Sequence, residues 1–174
     1  MKTYSKIRML ILSLVLLFAA CAYNSGRNEI DRTTVSNLSL KDFMGRWYEI
    51  ARFDHSFERG MTDVTATYNL LPDGTIEVIN RGIKDGKEKE AVGKAKTTDT
   101  PGRLRVSFFW IFYSDYNILA MGEQHEWVLI GSSSPKYLWI LSRTPQLPSS
   151  TLSYIMALAR QKGYDTNRLI IDNN

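Results

Sequence analysis

From Arg46 onward the chain is a succession of short runs rich in β-branched and aromatic residues, broken by turn signals at intervals of about eight to twelve residues. That spacing constrains the fold more than any other feature. It leaves no room for a crossover helix between strands, so neighbouring runs must pair antiparallel in an all-β barrel or sandwich. Eight strands are predicted: Arg46 to Phe53, Thr62 to Leu71, Thr75 to Lys84, Glu88 to Thr97, Arg103 to Trp110, Asp115 to Gly122, His125 to Gly131 and Tyr137 to Arg143. Pro72-Asp73-Gly74, Asp85-Gly86-Lys87, Pro101-Gly102 and Ser133-Ser134-Pro135-Lys136 lie between them, each suited to reversing the chain.

Closure into an up-and-down β-barrel is favoured because several strands are apolar on both faces. Val106, Phe108 and Trp110 alternate with Ser107 and Phe109, and Trp139 and Leu141 alternate with Leu138 and Ile140. Such strands need contents on the inside and cover on the outside. A C-terminal helix from Ser150 to Lys162 offers the cover, since Leu152, Ile155, Met156 and Ala159 form one apolar stripe. Ser149 or Ser150 is its expected cap and Gly163 its left-handed stop. Leu169 to Ile171 is expected to return as a short closing strand beside the first. In the fourth strand Ala91, Gly93 and Ala95 share one face. If that face points inward, the barrel retains an internal space.

The N-terminus has a different character. Met1 to Arg8 carries three cations, Lys2, Lys6 and Arg8, and Met9 to Ala20 is apolar apart from Ser13. This pattern is that of a secretory signal peptide, residues 1–20. Twelve residues of helix rise about 18 Å, short of the roughly 30 Å of hydrocarbon that a permanent span must cross. Leu17-Phe18-Ala19-Ala20-Cys21 resembles a bacterial lipobox, which implies acylation of Cys21 and anchoring by three acyl chains. Ala22 rather than Asp follows it, which by the same resemblance implies sorting to the outer membrane, on its periplasmic side. Cys21 is the sole cysteine, so no disulfide can form within the chain. Residues 21–39 are polar and without apolar period, as expected of a flexible tether, and the folded domain is expected over residues 40–174. Without Lys2, Lys6 and Arg8 the 22 cationic residues fall to 19, against 18 acidic ones. A nearly neutral domain gives no reason to expect nucleic acid as partner.

Gly45-Arg46-Trp47-Tyr48-Glu49-Ile50-Ala51-Arg52 at the start of the first strand looks like the Gly-x-Trp signature of the lipocalins. The preceding Leu40 to Met44 can supply the short helical turn of that family. Similarity extends through residues 53–60, Tyr68-Asn69-Leu70, Val78 to Gly82, Lys94-Ala95 and Val106 to Phe109, and ends in Tyr137 to Pro145. It resembles in particular the outer-membrane lipoprotein branch of bacteria, related to apolipoprotein D and the plant temperature-induced lipocalins. The family's second motif is poorly kept at Gly122 to Trp127. The resemblance implies that Gly45, Trp47 and Arg143 are structural, the guanidinium stacking across the indole at the closed end of the barrel.

It also implies a calyx for fatty acids or lysophospholipids, stored or transported for membrane maintenance under stress. With Trp47 inward, strict alternation places Glu49, Ala51 and Phe53 on the same face. The remaining lining is expected from Ala66, Tyr68, Val78, Val106, Phe108, Trp110, Tyr116, Ile118, Trp139 and Leu141. Trp110, Ile111, Phe112 and Tyr113 are expected at the open mouth, where they could touch a membrane, cover a ligand or form a homodimer contact. Two other functions compete. A lipid-modifying enzyme would need a catalytic constellation, but His55 and His125 fall in loops at opposite ends of the barrel. No Gly-x-Ser-x-Gly elbow occurs, and ligands for a zinc site are lacking. An interaction barrel would have its calyx filled by side chains. No cofactor or metal is expected.

Overall fold

In the computed structural model residues 30–109 and 111–172 are described. The body that begins at Asp31 contains nine strands: β1 (Gly45–Phe53), β2 (Met61–Leu70), β3 (Ile76–Lys84), β4 (Lys87–Thr97), β5 (Arg103–Phe109), β6 (Phe112–Met121), β7 (Trp127–Gly131), β8 (Leu138–Ser142) and β9 (Leu169–Ile171). A one-turn helix α1 (Leu40–Phe43) precedes β1, and helix α2 (Ser149–Gln161) lies between β8 and β9. Consecutive strands pair antiparallel from β2 to β8, and β1 bonds to both β8 and β2, so the first eight strands close into a barrel. The expected strands are all present, with β6 starting three residues early and β7 and β8 shorter than expected.

β1 divides its edge between two partners. Gly45 to Tyr48 pairs with β2, and Ala51 to Phe53 pairs with the closing strand β9, as the C-terminal apolar triplet suggested. Between the halves the register with β8 shifts from Glu49 to Ala51, leaving Ile50 as an extra residue. The expected alternation stops there. Glu49 and Arg52 meet inside, while Phe53 turns outward against Tyr164 and under the Arg168 guanidinium. Ala51 and Phe53 are therefore not inward residues. Asp85 and Gly86 form the tight β3–β4 reversal, both with positive φ of 53° and 70°. That is the combination a two-residue hairpin matching the strand twist requires.

Helix α2 covers the barrel wall as expected, burying Ile155 and Ala159, with Tyr154 edge-on to Trp127. Its start differs. Pro148 is the N-cap and no side chain caps the first turn, so neither Ser149 nor Ser150 performs that role. Gly163, at φ 88°, ends the helix as expected.

The closed end is a packed floor. Phe43, Trp47, Ile76, Ala95, Leu104, Ile118, Val128 and Ile130 are buried in one cluster, with Val35, Leu38, Leu40 and Met44 packed against it. Those last residues correct the expected tether. From Asp31 to Ser39 the chain is tied to the barrel: Asp31 N donates to Lys162 O, Val35 N to Ile118 O and Thr34 Oγ1 to Pro101 O. An ion pair from Lys162 Nζ to Asp31 Oδ2 at 2.8 Å adds to them. The folded body thus starts about nine residues before Leu40 because two apolar residues of a polar segment, Val35 and Leu38, pack against the floor. Cys21 and the signal segment lie outside the described residues.

Candidate functional site

Alternation along the strands sends one set of side chains inward, and towards the open end these sides do not meet. A cavity of about 710 Å³ results. It opens at the end formed by the β1–β2, β3–β4, β5–β6 and β7–β8 connections, opposite the Trp47 floor. Of the residues expected to line it, Glu49, Ala66, Tyr68, Val78, Val106, Phe108, Tyr116, Trp139 and Leu141 do so. Ile118 does not. It points inward but is fully buried in the floor below the cavity. Trp110 lies outside the described residues.

The small face of β4 borders the cavity at one residue only. Ala91 lines the cavity near its mouth, and Gly93 lies so close to β5 that a Cβ there would stand 2.5 Å from Ser107 O and 2.7 Å from the Phe108 ring. Ala95, further down, is part of the packed floor rather than the cavity wall. Phe109, Phe112, Phe57 and Met61 add apolar groups at the mouth.

One buried polar cluster stands on the β1 side of the cavity. Glu49 is buried beside Arg52 in a charge-assisted hydrogen bond from Nη1 to Oε1. Arg52 Nη2 also donates to the carbonyls of Glu58 and Met61, at 3.1 and 3.0 Å, which pins the β1–β2 loop across the barrel mouth. Glu58 accepts from Trp139 Nε1 at 3.1 Å, and its carboxylate stands 3.0 Å from His55 Nε2. His55 is buried in this loop, stacked 3.9 Å from the Phe57 ring. Burial, reinforced by the Glu58 charge, pushes the Glu49 carboxyl up to about 8 despite the opposing Arg52. Across the cavity the Tyr68 and Tyr116 hydroxyls share a hydrogen bond at 2.6 Å, and burial holds both phenols well above their usual range. An interior carboxyl at Glu49 was legible in the sequence, but its partners were not. Arg52 meets it through the β1 bulge, and Glu58, with His55 beside it, is brought near by a loop fold that no period announces.

The closed-end pair stands as the resemblance implied. The Arg143 guanidinium lies 3.7 Å from the Trp47 ring centroid and donates to the carbonyls of Arg46 and Asp42 at 2.9 and 2.5 Å. Trp47 Nε1 donates to Phe43 O at 2.8 Å, so the buried indole leaves no donor unpaired.

At the mouth, Ile111 and Phe112 are exposed as expected, and Phe109 joins them. Tyr113 is partly covered beneath Lys96, whose ammonium lies 5.1 Å from its ring.

Comparison with known proteins gives a consistent picture. Residues 38–174 match the family described as the lipocalin-like domain. The chain is 44% identical over 142 residues to the outer membrane lipoprotein Blc of Citrobacter freundii, covering 79% of this chain and 80% of that one. It is 37% identical over 146 residues to temperature-induced lipocalin-1 of Arabidopsis thaliana, with 78% of each chain covered. Among solved structures, insecticyanin of the tobacco hornworm Manduca sexta superposes with a TM-score of 0.69, at 18% identity over 84% of this chain and 86% of that one.

Proposed function

The chain belongs to the lipocalin family, and from that premise we propose that it is a carrier whose calyx holds one single-chain lipid, a fatty acid or lysophospholipid. It serves membrane maintenance, including under stress, while anchored to the periplasmic side of the outer membrane by acylated Cys21. The single observation that carries this reading is the open cavity of about 710 Å³ with its aromatic and aliphatic wall, within the size range of sites that enclose a small ligand. About fourteen buried methylenes are worth roughly 11 kcal/mol of transfer free energy. Ordering and association costs of several kcal/mol reduce that towards micromolar affinity or weaker, which suits a protein that must also release.

Location follows the similarity to an outer membrane lipoprotein together with the lipobox-like segment ending in Cys21. The lipocalin family consists generally of binding proteins rather than enzymes, and the two histidines stand far apart, His55 at the mouth and His125 in the β6–β7 turn.

Titration of the delipidated protein with a lysophospholipid or fatty acid tests the reading, with Trp139 as the reporter in the wall. Saturable quenching and recovery of chemically intact lipid by mass spectrometry are expected. Absence of binding by a well-folded delipidated barrel would falsify it, and steady conversion of the lipid would replace it with the enzyme reading.

A further inference from the structure

The most exposed large apolar side chains of this barrel, three within four residues, stand at its open end. In the β5–β6 hairpin Phe109, Ile111 and Phe112 are 79%, 75% and 76% exposed. Phe57, on the β1–β2 loop, is also exposed, and Phe57, Phe109 and Phe112 all border the cavity. A hairpin tip needs turn residues, not three large apolar side chains in water. The adjacent β3–β4 hairpin carries Lys84, Lys87 and Lys89 alongside Asp85, Glu88 and Glu90. Those charges cancel and favour neither an acidic nor a basic partner. Before it runs under the floor the chain touches this side: Arg32 Nε donates to Ser133 O at 3.0 Å, in the β7–β8 loop that lines the mouth. Cys21 is eleven residues before Arg32, a reach of about 40 Å at most.

We propose that the open rim docks on a lipid bilayer, with Phe109, Ile111 and Phe112 immersed at the boundary of headgroups and acyl chains and the cavity mouth turned towards the membrane. The tether supplies the choice of occupant, because an acyl anchor on so short a chain keeps a bilayer within reach of the rim. In this respect the proposal rests on the anchoring of Cys21. A lipid moving between bilayer and calyx then exposes little of its chain to water. Because the driving force is apolar and the rim charges balance, docking takes place on zwitterionic vesicles and changes little with salt.

The test uses the full acylated protein with Ile111→Cys carrying an environment-sensitive fluorophore, reconstituted into phosphatidylcholine vesicles whose acyl chains are brominated. A second sample carries the label at Asp73→Cys, in the closed-end β2–β3 turn. Rim docking gives a blue-shifted emission at position 111 that the brominated chains quench, while position 73 is quenched by aqueous iodide alone. Aqueous behaviour at both positions overturns the proposal. So does a blue shift at 111 without bromine quenching, which identifies a second copy of the chain as the cover. The mass of the N-terminal peptide from the same sample reads acylation of Cys21 separately, and lipid titration reads the calyx, so failure of either does not imitate failure of docking.

Discussion

At the scale of single residues, Arg143 and Glu49 are the most informative. Arg143 gives up part of its hydration, and burial holds its guanidinium below the usual arginine range. In return it stacks on Trp47 and satisfies two carbonyls, one from the turn before β1 and one from β1 itself. Arg143→Ala is expected to lower stability by about 2 to 4 kcal/mol, read from the chemical denaturation midpoint, because the stacking and two charge-assisted bonds go together. Arg143→Lys should recover only part of the loss, since an ammonium cannot present the planar fork. Glu49 behaves in the opposite sense from a surface carboxylate. Its folded pKa, at about 8, lies above the unfolded value, so the native state binds more protons between those two values and stability falls as pH rises from about 4.5 to 8. Glu49→Gln should remove that part of the slope. A variant whose stability follows the same pH profile as the wild type would show that Glu49 is ionised throughout.

At the scale of elements, helix α2 is held to the barrel by a single docking face. Ile155 is fully buried between the helix and the wall, and Ile155→Ala should cost about 2 to 5 kcal/mol, again by denaturation. Most elements were legible in the sequence because one periodicity governed them throughout: the Val106/Phe108 and Trp139/Leu141 faces, the small β4 face and the α2 stripe each follow a clean repeat. What was not legible depends on breaks in the repeat. One extra residue at Ile50 sent Phe53 outward and brought Arg52 in, and a strand sequence carries no mark of a bulge that its partner's register creates. Ile118 and Ala95 faced the interior as expected, yet depth along the barrel axis, not facing, decides between floor and cavity. Asp31 to Ser39 looked like a tether because its apolar residues are too sparse for a period, although Val35 and Leu38 suffice to bind it to the floor.

At the scale of the whole molecule, cavity and anchor are separable. Ala91 lines the calyx near the mouth, away from the packed floor, so Ala91→Trp should obstruct the entrance and weaken lipid binding with an unchanged circular dichroism spectrum and denaturation midpoint. Cys21→Ser should abolish incorporation of labelled palmitate, and equal labelling of variant and wild type would remove the anchoring reading without touching the calyx. The segment from Asp31 to Ser39 has a mechanical consequence as well. A pull applied at Asp31 meets its bonds to Lys162, then the bonds of Arg32, Thr34 and Val35 in turn. Tension is therefore released by peeling this strap bond by bond, and α1 and β1 carry load only after it has been stripped away.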